Sequence, residues 1–171
     1  NTICTHSGEI KDAQYGGAIS PIFMATSYPF MEVDTKRYPR YFNTPNQQAV
    51  GLKIAALENS EMALPFASGM AAISTTLFTF LSHGDHIVLQ NEIYGGTFNL
   101  VVEEFEKMGI EYSFAEGVAP SDFESKIKAN TKVIYIETPS NPLLTITDIK
   151  ALAHLAKKHG LVSIIDNTFA S

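Results

Sequence analysis

The sequence contains a single cysteine, Cys4, among its 171 residues. One cysteine excludes an internal disulfide framework and fits a reducing compartment, so we predict a cytoplasmic protein. Long apolar runs are also absent. The longest, residues 77–81, is interrupted by Thr79 and falls far short of the roughly 20 residues that a membrane span needs. We therefore predict no membrane association.

Positive charge is scarce. The sequence contains ten lysines and two arginines against 18 acidic residues, which gives a formal net charge of −6. The cations are scattered and form no basic stripe, which excludes nucleic-acid binding by phosphate neutralisation. The histidines form no metal-ligand pattern. The segment His83-Gly84-Asp85-His86 lies where a helix ends and a strand begins, and we interpret it as a polar turn rather than a metal site.

The first 46 residues differ in character from the rest. They hold four of the eight prolines and the Gly16-Gly17 pair, and their periodicity is weak. They also carry seven aromatic residues: Tyr15, Phe23, Tyr28, Phe30, Tyr38, Tyr41 and Phe42. An unstructured loop of this length inside a compact domain would be unusual. We therefore predict that residues 1–46 form an N-terminal arm, with a second subunit as the surface on which its aromatics pack.

From residue 47 onward the pattern becomes regular. Periodicity and glycine stops predict helices beginning near residue 47 and over 69–82, 97–108, 121–129 and 147–159, and extended strands over 62–67, 86–90, 110–114, 132–137 and 161–165. Ser121 and Thr147 are the expected caps of the last two helices. This alternation predicts an α/β fold with a mainly parallel sheet and helices on both faces.

In such sheets, ligands bind beyond the carboxyl ends of the strands. Ser68 and Gly69 would leave free N–H groups at a helix start, which suits a phosphate. The same two residues are also consistent with a simple helix cap. Tyr94, before Gly95-Gly96, could stack on a flat cofactor or be a core tyrosine. Asp166 closes an apolar strand and needs a cationic or hydrogen-bonding partner. Together they describe a flat ligand with a phosphate and a cationic ring nitrogen.

Several segments carry a resemblance to a known family. They are Phe66-Ala67-Ser68-Gly69-Met70-Ala71-Ala72, Gly84-Asp85, Tyr94-Gly95-Gly96-Thr97, Glu137-Thr138-Pro139-Ser140-Asn141-Pro142 and Asp166-Asn167-Thr168-Phe169-Ala170-Ser171. The sequence resembles the Cys/Met-metabolism family of pyridoxal-phosphate enzymes, from the arm to the last residue. The resemblance implies the pyridoxal-phosphate fold type I (aspartate-aminotransferase-like), with residues 47–171 as the N-terminal part of the cofactor-binding domain.

The resemblance also implies roles for single residues. Ser68, Gly69 and Met70 would lie at the cofactor phosphate, the last two through backbone N–H groups. Tyr94 would stack on the pyridine ring and help to move protons near the substrate. Asn141 would lie near the ring hydroxyl, Asp166 would pair with the ring nitrogen, and Thr168 would contact the ring. Tyr38 and Arg40 would reach the phosphate of a neighbouring subunit in a homo-oligomer, a dimer or a dimer of dimers (homotetramer).

Two features depart from the family pattern. Pro39 replaces a serine between Tyr38 and Arg40, and the order of Asn43 and Pro45 is altered. The family's lysine that binds the cofactor covalently lies downstream of the Asp166-Asn167-Thr168-Phe169 motif. None of the ten lysines here stands in that context. We therefore expect the anchoring lysine to lie beyond Ser171, with residues 1–171 unable to complete the chemistry alone.

The implied activity is β- or γ-elimination, or γ-replacement, on sulfur amino acids or activated homoserine. Gly96 stands where some methionine γ-lyases carry a cysteine, which favours cystathionine γ-lyase or γ-synthase. Cystathionine β-lyase, methionine γ-lyase and homoserine sulfhydrylase remain alternatives. An aminotransferase of the same fold type would be expected to lack the Tyr94-Gly95-Gly96-Thr97 and Glu137–Pro142 motifs. A non-catalytic α/β binding fragment is the rival from another class.

Overall fold

The computed structural model describes residues 2–170; Asn1 and Ser171, which the predicted segments include, lie outside the described residues. The chain divides into two compact units, one up to Ala67 and one from Ser68 onward. The predicted boundary lies after residue 46, whereas the two units meet after Ala67, because the helix between these positions belongs to the first unit. No helix in the described part of the chain is both long and apolar enough to cross a membrane.

The first unit contains little regular structure. It comprises helix α1 (Thr2–His6), a 3₁₀ turn (Pro39–Tyr41) and helix α2 (Pro45–Glu58). Helix α2 begins after Thr44, whose backbone N–H and hydroxyl both donate to Oε1 of Gln47, and Pro45 occupies its first turn, where a missing N–H costs nothing. The predicted helix near residue 47 is therefore confirmed.

The predicted strand over residues 62–67 is wrong. None of these residues belongs to a strand. Pro65 has no N–H to donate to a ladder, and the segment instead lies against α2. A Cβ placed on Gly51 would come within 2.7 Å of the Ala63 carbonyl oxygen, so only glycine allows this approach.

The second unit is a four-stranded parallel sheet with helices on both faces. Its elements are α3 (Gly69–Phe80), β1 (His86–Leu89), α4 (Gly95–Leu100), β2 (Glu111–Phe114), α5 (Pro120–Glu124), β3 (Thr131–Glu137), α6 (Ile149–Lys158) and β4 (Val162–Asp166). The strand order is β2-β1-β3-β4, and every pair is parallel. The predicted α/β class is confirmed.

The side chains of the central strands alternate between two cores. Ile87, Leu89, Val133 and Tyr135 pack with Leu77 of α3 and Phe105. Val88, Ile134 and Ile136 point to the other face and pack with Phe123 of α5 and Leu152 of α6. Because both faces of β1 and β3 are covered, these strands consist of continuous apolar runs rather than alternating ones.

Helix α4 continues through a π-helical segment (Val101–Phe105) and a 3₁₀ turn (Glu106–Met108). Gly109 ends it at φ +68°, as the sequence predicts. Two predicted caps are wrong. Helix α5 begins after Ala119, whose N–H donates to Oδ2 of Asp122 at 3.1 Å, rather than at Ser121. Asp148, not Thr147, caps α6 by accepting the Ala151 N–H at 2.9 Å.

Candidate functional site

The carboxyl ends of the parallel strands meet at one edge of the sheet. The loops that follow β1, β3 and β4, together with the start of α3, enclose a cavity of about 410 Å³. It is lined by Ser68, Gly69, Met70, Ile73, Tyr94, Glu137, Pro139, Asn141, Asp166, Thr168 and Phe169. Seven of the nine predicted site residues thus line one cavity. The other two, Tyr38 and Arg40, belong to the first unit.

The start of α3 offers unpaired backbone donors. The Ser68 hydroxyl accepts the Ala71 N–H at 3.1 Å, and the Ser68 carbonyl accepts the Ala72 N–H at 3.1 Å. The N–H groups of Gly69 and Met70 have no hydrogen-bond partner among residues 2–170. A Cβ on Gly69 would meet nothing within 4 Å, so the space above it is open. Free N–H groups and the positive end of the helix dipole suit a phosphate.

Tyr94 lies immediately before α4, and its side chain is 44% exposed. Its ring lies over Gly96: a Cβ at residue 96 would stand 2.5 Å from Cε1 of Tyr94 and 2.9 Å from Sδ of Met70. The absence of a side chain at Gly96 therefore allows the ring to take this position. A half-exposed aromatic ring at the cavity wall suits stacking on a planar ligand.

Asp166 ends β4 with both carboxylate oxygens hydrogen-bonded. Oδ1 accepts the Thr168 hydroxyl at 2.6 Å and the Thr168 N–H at 3.2 Å. Oδ2 accepts the buried Tyr135 hydroxyl at 3.2 Å. Burial, followed by the negative charge of Asp166, raises the pKa of the Tyr135 phenol, so that Tyr135 remains a donor. Each carboxylate oxygen has several lone-pair sites, so Asp166 can still accept a protonated ring nitrogen.

Glu137 is a site residue that the sequence reasoning missed. It ends β3, is 4% exposed, and lies in register with Asp166 on β4. Its carboxylate accepts the Tyr94 N–H at 2.6 Å and the Asn141 N–H at 2.8 Å. Burial, and to a lesser degree the Asp166 charge, raises its pKa, and the two N–H donors act against that shift. The signal was present, since Glu137, like Asp166, closes an apolar strand.

A buried amide supports the loops at this edge. Gln90 follows β1 and is 1% exposed. Its Nε2 donates to the carbonyl oxygens of Glu92 and Glu137, each at 3.0 Å, and its Oε1 accepts the Thr147 hydroxyl at 2.9 Å. This single side chain connects the loops after β1 and β3. The sequence reasoning gave it no role, because two of its three partners, Glu137 and Thr147, are far away in the chain.

Tyr38 and Arg40 form a pair within the first unit. Nη1 of Arg40 donates to the Tyr38 hydroxyl at 2.9 Å, and Cζ of the guanidinium lies 5.6 Å from the centre of the Tyr38 ring. In an extended segment, side chains two residues apart point to the same side, whereas Arg40 belongs to the 3₁₀ turn. Both polar groups nevertheless lie together, which suits a shared anion.

The histidine pair at residues 83 and 86 has structural contacts. His86 is fully buried, and its ring nitrogens lie 2.8 Å from Oγ1 of Thr131 and 3.0 Å from Oγ of Ser113. Gly109 approaches the His83 ring so closely that a Cβ there would stand 2.3 Å from it. No group of three metal-ligating side chains occurs among residues 2–170.

Comparisons with known proteins identify relatives along the whole chain. The family model described as "Cys/Met metabolism PLP-dependent enzyme" matches residues 1–171. Cystathionine beta-lyase MetC of Bacillus subtilis is 46% identical over 98% of this chain and 43% of its own length. Cystathionine gamma-lyase of the same organism is 38% identical over 98% of this chain and 45% of its own length.

A solved structure agrees with these sequence matches. The crystal structure of cystathionine gamma-lyase from Lactobacillus plantarum, complexed with L-serine, superimposes with a TM-score of 0.90 at 42% identity. The match covers 99% of this chain and 45% of that one. The chain therefore spans less than half the length of these three relatives.

Proposed function

Because the chain belongs to the family of Cys/Met-metabolism PLP-dependent enzymes, we propose that the protein containing it catalyses elimination or replacement on sulfur amino acids or activated homoserine. The observation that carries this proposal is the cavity at the sheet edge. It combines free N–H groups at the start of α3, an aromatic wall at Tyr94 and a hydrogen-bonded carboxylate at Asp166. These three features match the phosphate, the ring and the ring nitrogen of pyridoxal phosphate.

In this proposal, each residue around the cavity has a task. Gly69 and Met70 bind the phosphate through their N–H groups, and Ser68 caps the helix that presents them. Tyr94 stacks on the ring, and Asn141 lies near the ring hydroxyl. Asp166 holds a proton at the ring nitrogen, and Thr168 fixes the Asp166 carboxylate through Oδ1. Bound pyridoxal phosphate supplies an electron sink for bond cleavage at the substrate Cα.

The candidate activities differ in the position of the substrate bond that they cleave. Our first candidates are cystathionine γ-lyase and γ-synthase, supported by Gly96 and by the 38% identity to a cystathionine gamma-lyase. The second is cystathionine β-lyase, supported by the 46% identity to a cystathionine beta-lyase. Cleavage on the γ side of cystathionine releases cysteine, a four-carbon keto acid and ammonia. Cleavage on the β side releases homocysteine, pyruvate and ammonia.

The test is a product assay on the full-length protein with cystathionine, in which mass spectrometry identifies the keto acid. A second reaction mixture contains O-acylated homoserine and cysteine and is analysed for cystathionine. A four-carbon keto acid or newly formed cystathionine supports the first candidates, and pyruvate supports the second. Further mixtures with methionine alone, and with O-acylated homoserine and sulfide, test methionine γ-lyase and homoserine sulfhydrylase. Absence of every product in all of these mixtures from protein saturated with pyridoxal phosphate would contradict the proposed function.

The first unit supports a homo-oligomer, a dimer or a dimer of dimers. Helix α2 carries an apolar stripe formed by Val50, Ile54 and Leu57. These side chains are 48%, 45% and 42% exposed, respectively. Six of the seven arm aromatics are also exposed: Tyr15, Phe23, Phe30, Tyr38, Tyr41 and Phe42. Apolar surface of this extent is typical of a protein interface. We propose that a second subunit covers it and that the Tyr38–Arg40 pair reaches that subunit's cofactor phosphate.

Subunit mixing tests this arrangement. Arg40→Ala should weaken cofactor binding, whereas Lys36→Ala, which removes a nearby cation from the same segment, should not. Arg40→Ala subunits mixed with subunits that lack the anchoring lysine should regain activity, since one site in each hybrid is intact. A fully active monomer, or hybrids without activity, would contradict shared sites. We further propose a cytoplasmic location, supported by the single cysteine, Cys4.

A further inference from the structure

Glu137 stands out among the buried groups of the second unit. It is 4% exposed, and no lysine, arginine or histidine among the described residues forms an ion pair with it. A buried carboxylate without a cation is costly unless other donors satisfy its oxygens. Here two backbone N–H groups do so, one on each oxygen.

The two donors come from different loops. The Tyr94 N–H, at 2.6 Å from Oε2, belongs to the loop between β1 and α4. The Asn141 N–H, at 2.8 Å from Oε1, belongs to the loop after β3. Both residues line the cavity. One carboxylate therefore connects the two loops that carry the aromatic wall and the amide side chain of the site.

The backbone that carries the Glu137 side chain is anchored in the sheet. Glu137 is the last residue of the buried central strand β3, and its carbonyl oxygen accepts Nε2 of Gln90 at 3.0 Å. Both bonds to the carboxylate are short, as expected for charge-assisted hydrogen bonds. The loop is also held at Glu92, whose carbonyl accepts Gln90 Nε2 and whose carboxylate accepts the hydroxyls of Ser140 and Thr145. The Tyr94 N–H itself, however, is held by Glu137, while the Tyr94 side chain remains 44% exposed.

We propose that Glu137 is a positioning residue that clamps the Tyr94 and Asn141 loops together and so sets where both side chains stand in the cavity. Its effect on catalysis rests on the function proposed above, whereas the clamp itself concerns only protein groups. Two kinds of measurement therefore separate the clamp from the activity.

The direct test is hydrogen exchange of the backbone amides in the full-length protein with cofactor bound, followed by mass spectrometry. Peptides covering residues 91–96 and 139–143 report on the two loops. Pro139 and Pro142 have no N–H, so few amides compete in the second peptide. The clamp predicts slow exchange at Tyr94 and Asn141 in the wild-type protein although both lie in loops. Rapid exchange at both amides would overturn the proposal without any variant.

Glu137→Gln keeps the shape of the side chain but turns one oxygen into an NH₂ donor. That donor faces an N–H donor, so at least one loop loses its acceptor. We expect exchange at Tyr94 or Asn141 to accelerate about tenfold or more. Glu137→Asp keeps the charge but is too short to reach both loops, and it should release at least one of them. Unchanged exchange at both amides in the two variants would overturn the clamp.

Glu111→Gln is the matched control. Glu111 starts β2 at the other end of the same sheet, and its carboxylate also accepts two donors, Lys128 Nζ and Asn130 Nδ2. It lies outside the cavity, so its replacement should change neither exchange at the two loops nor turnover. If Glu111→Gln accelerated exchange at Tyr94 and Asn141 as much as Glu137→Gln does, the effect would be general loosening, and the clamp would be rejected.

A double-mutant cycle separates positioning from stability. If Glu137 acts through the Tyr94 ring, the fold loss in kcat/KM caused by Glu137→Gln should shrink in a Tyr94→Ala background, which lacks the ring. Equal losses in both backgrounds would show that Glu137 does not act through Tyr94. If the protein bound no pyridoxal phosphate but the loop amides responded as expected, the proposed function would fail and the clamp would stand.

Discussion

The Tyr135 hydroxyl donates a hydrogen bond to Oδ2 of Asp166, across 3.2 Å between neighbouring strands. Tyr135 is 1% exposed. The hydroxyl of Thr97, which is also buried, lies near the Tyr135 phenol and lowers its pKa, against the larger effect of burial. The carboxylate proposed to hold the ring nitrogen is therefore oriented from the interior of the sheet as well as from its own loop.

Replacement of Tyr135 by Phe should weaken the site without unfolding the protein. The change removes one donor from Asp166, and we expect kcat/KM to fall about tenfold, the cost of losing one hydrogen bond to a charged group. Tyr112→Phe is the control, because Tyr112 lies on β2 in the same sheet and contacts Phe114 rather than Asp166. Steady-state kinetics on both variants check this, and equal activities would contradict it.

Gly96→Ala should displace the Tyr94 ring. The new Cβ would stand 2.5 Å from the ring and 2.9 Å from Met70, so both side chains must move. We expect a changed visible absorption band of the bound cofactor and a kcat/KM lower by about tenfold or more. Gly95→Ala, at the neighbouring position, meets nothing within 4 Å and should behave like the wild type. Identical spectra for the two variants would count against stacking by Tyr94.

Ser68→Ala should affect both stability and cofactor binding. Loss of this helix cap costs about 1 kcal/mol of unfolding free energy and loosens the α3 start that is proposed to bind the phosphate. Asp148→Ala removes the equivalent cap of α6, which lies outside the cavity. Denaturant melts should show similar losses for the two variants. Cofactor titration should show a raised Kd for Ser68→Ala alone, and a similar rise in both would refute the phosphate assignment.

The stability of the fold should fall in mild acid because of His86. Burial, more than the nearby Lys128 charge, lowers its pKa below 6.5, while Glu111 acts in the opposite direction. Below pH 6.5 the unfolded chain therefore binds a proton that the folded chain refuses, and unfolding becomes easier as the pH falls. The slope from this residue is at most about 1.4 kcal/mol per pH unit.

Denaturant melts of the wild type and of His86→Gln between pH 5 and 8 test this effect. Glutamine retains hydrogen-bonding groups for Thr131 and Ser113 but does not titrate. The difference in unfolding free energy between the two proteins should shrink as the pH falls through 6.5. A difference that stays constant over this range would show that His86 does not contribute to acid sensitivity.

Much of the second unit could be predicted from the sequence because its signals are local. Apolar runs gave the four strands, and Gly109 marked the end of a helix where it does take φ +68°. Thr147 failed as a cap because its hydroxyl bonds Gln90, 57 residues away, while Asp148 caps the helix. Strand pairing is equally non-local, and Pro65 was the one local sign against a strand over residues 62–67.

The same distinction between local and non-local signals applies to the residues of the candidate site. Asp166 and Tyr94 were found because chemistry-bearing residues at the carboxyl ends of parallel strands converge on one edge. Glu137 was missed because one of its two partners, the Tyr94 N–H, lies 43 residues away in the chain. A backbone donor leaves no mark on the sequence, so the position of Glu137 at the end of an apolar strand was its one sequence signal, and the fold supplies its partners.

We propose that Asp166 holds a proton on the ring nitrogen of pyridoxal phosphate in this cavity. The most direct test is ¹⁵N NMR of the full-length protein loaded with cofactor labelled at that nitrogen, compared with Asp166→Asn. We expect a protonated nitrogen in the wild type at neutral pH and loss of that proton in the variant. An unprotonated nitrogen in the wild type, or the same protonated signal in both proteins, would contradict it.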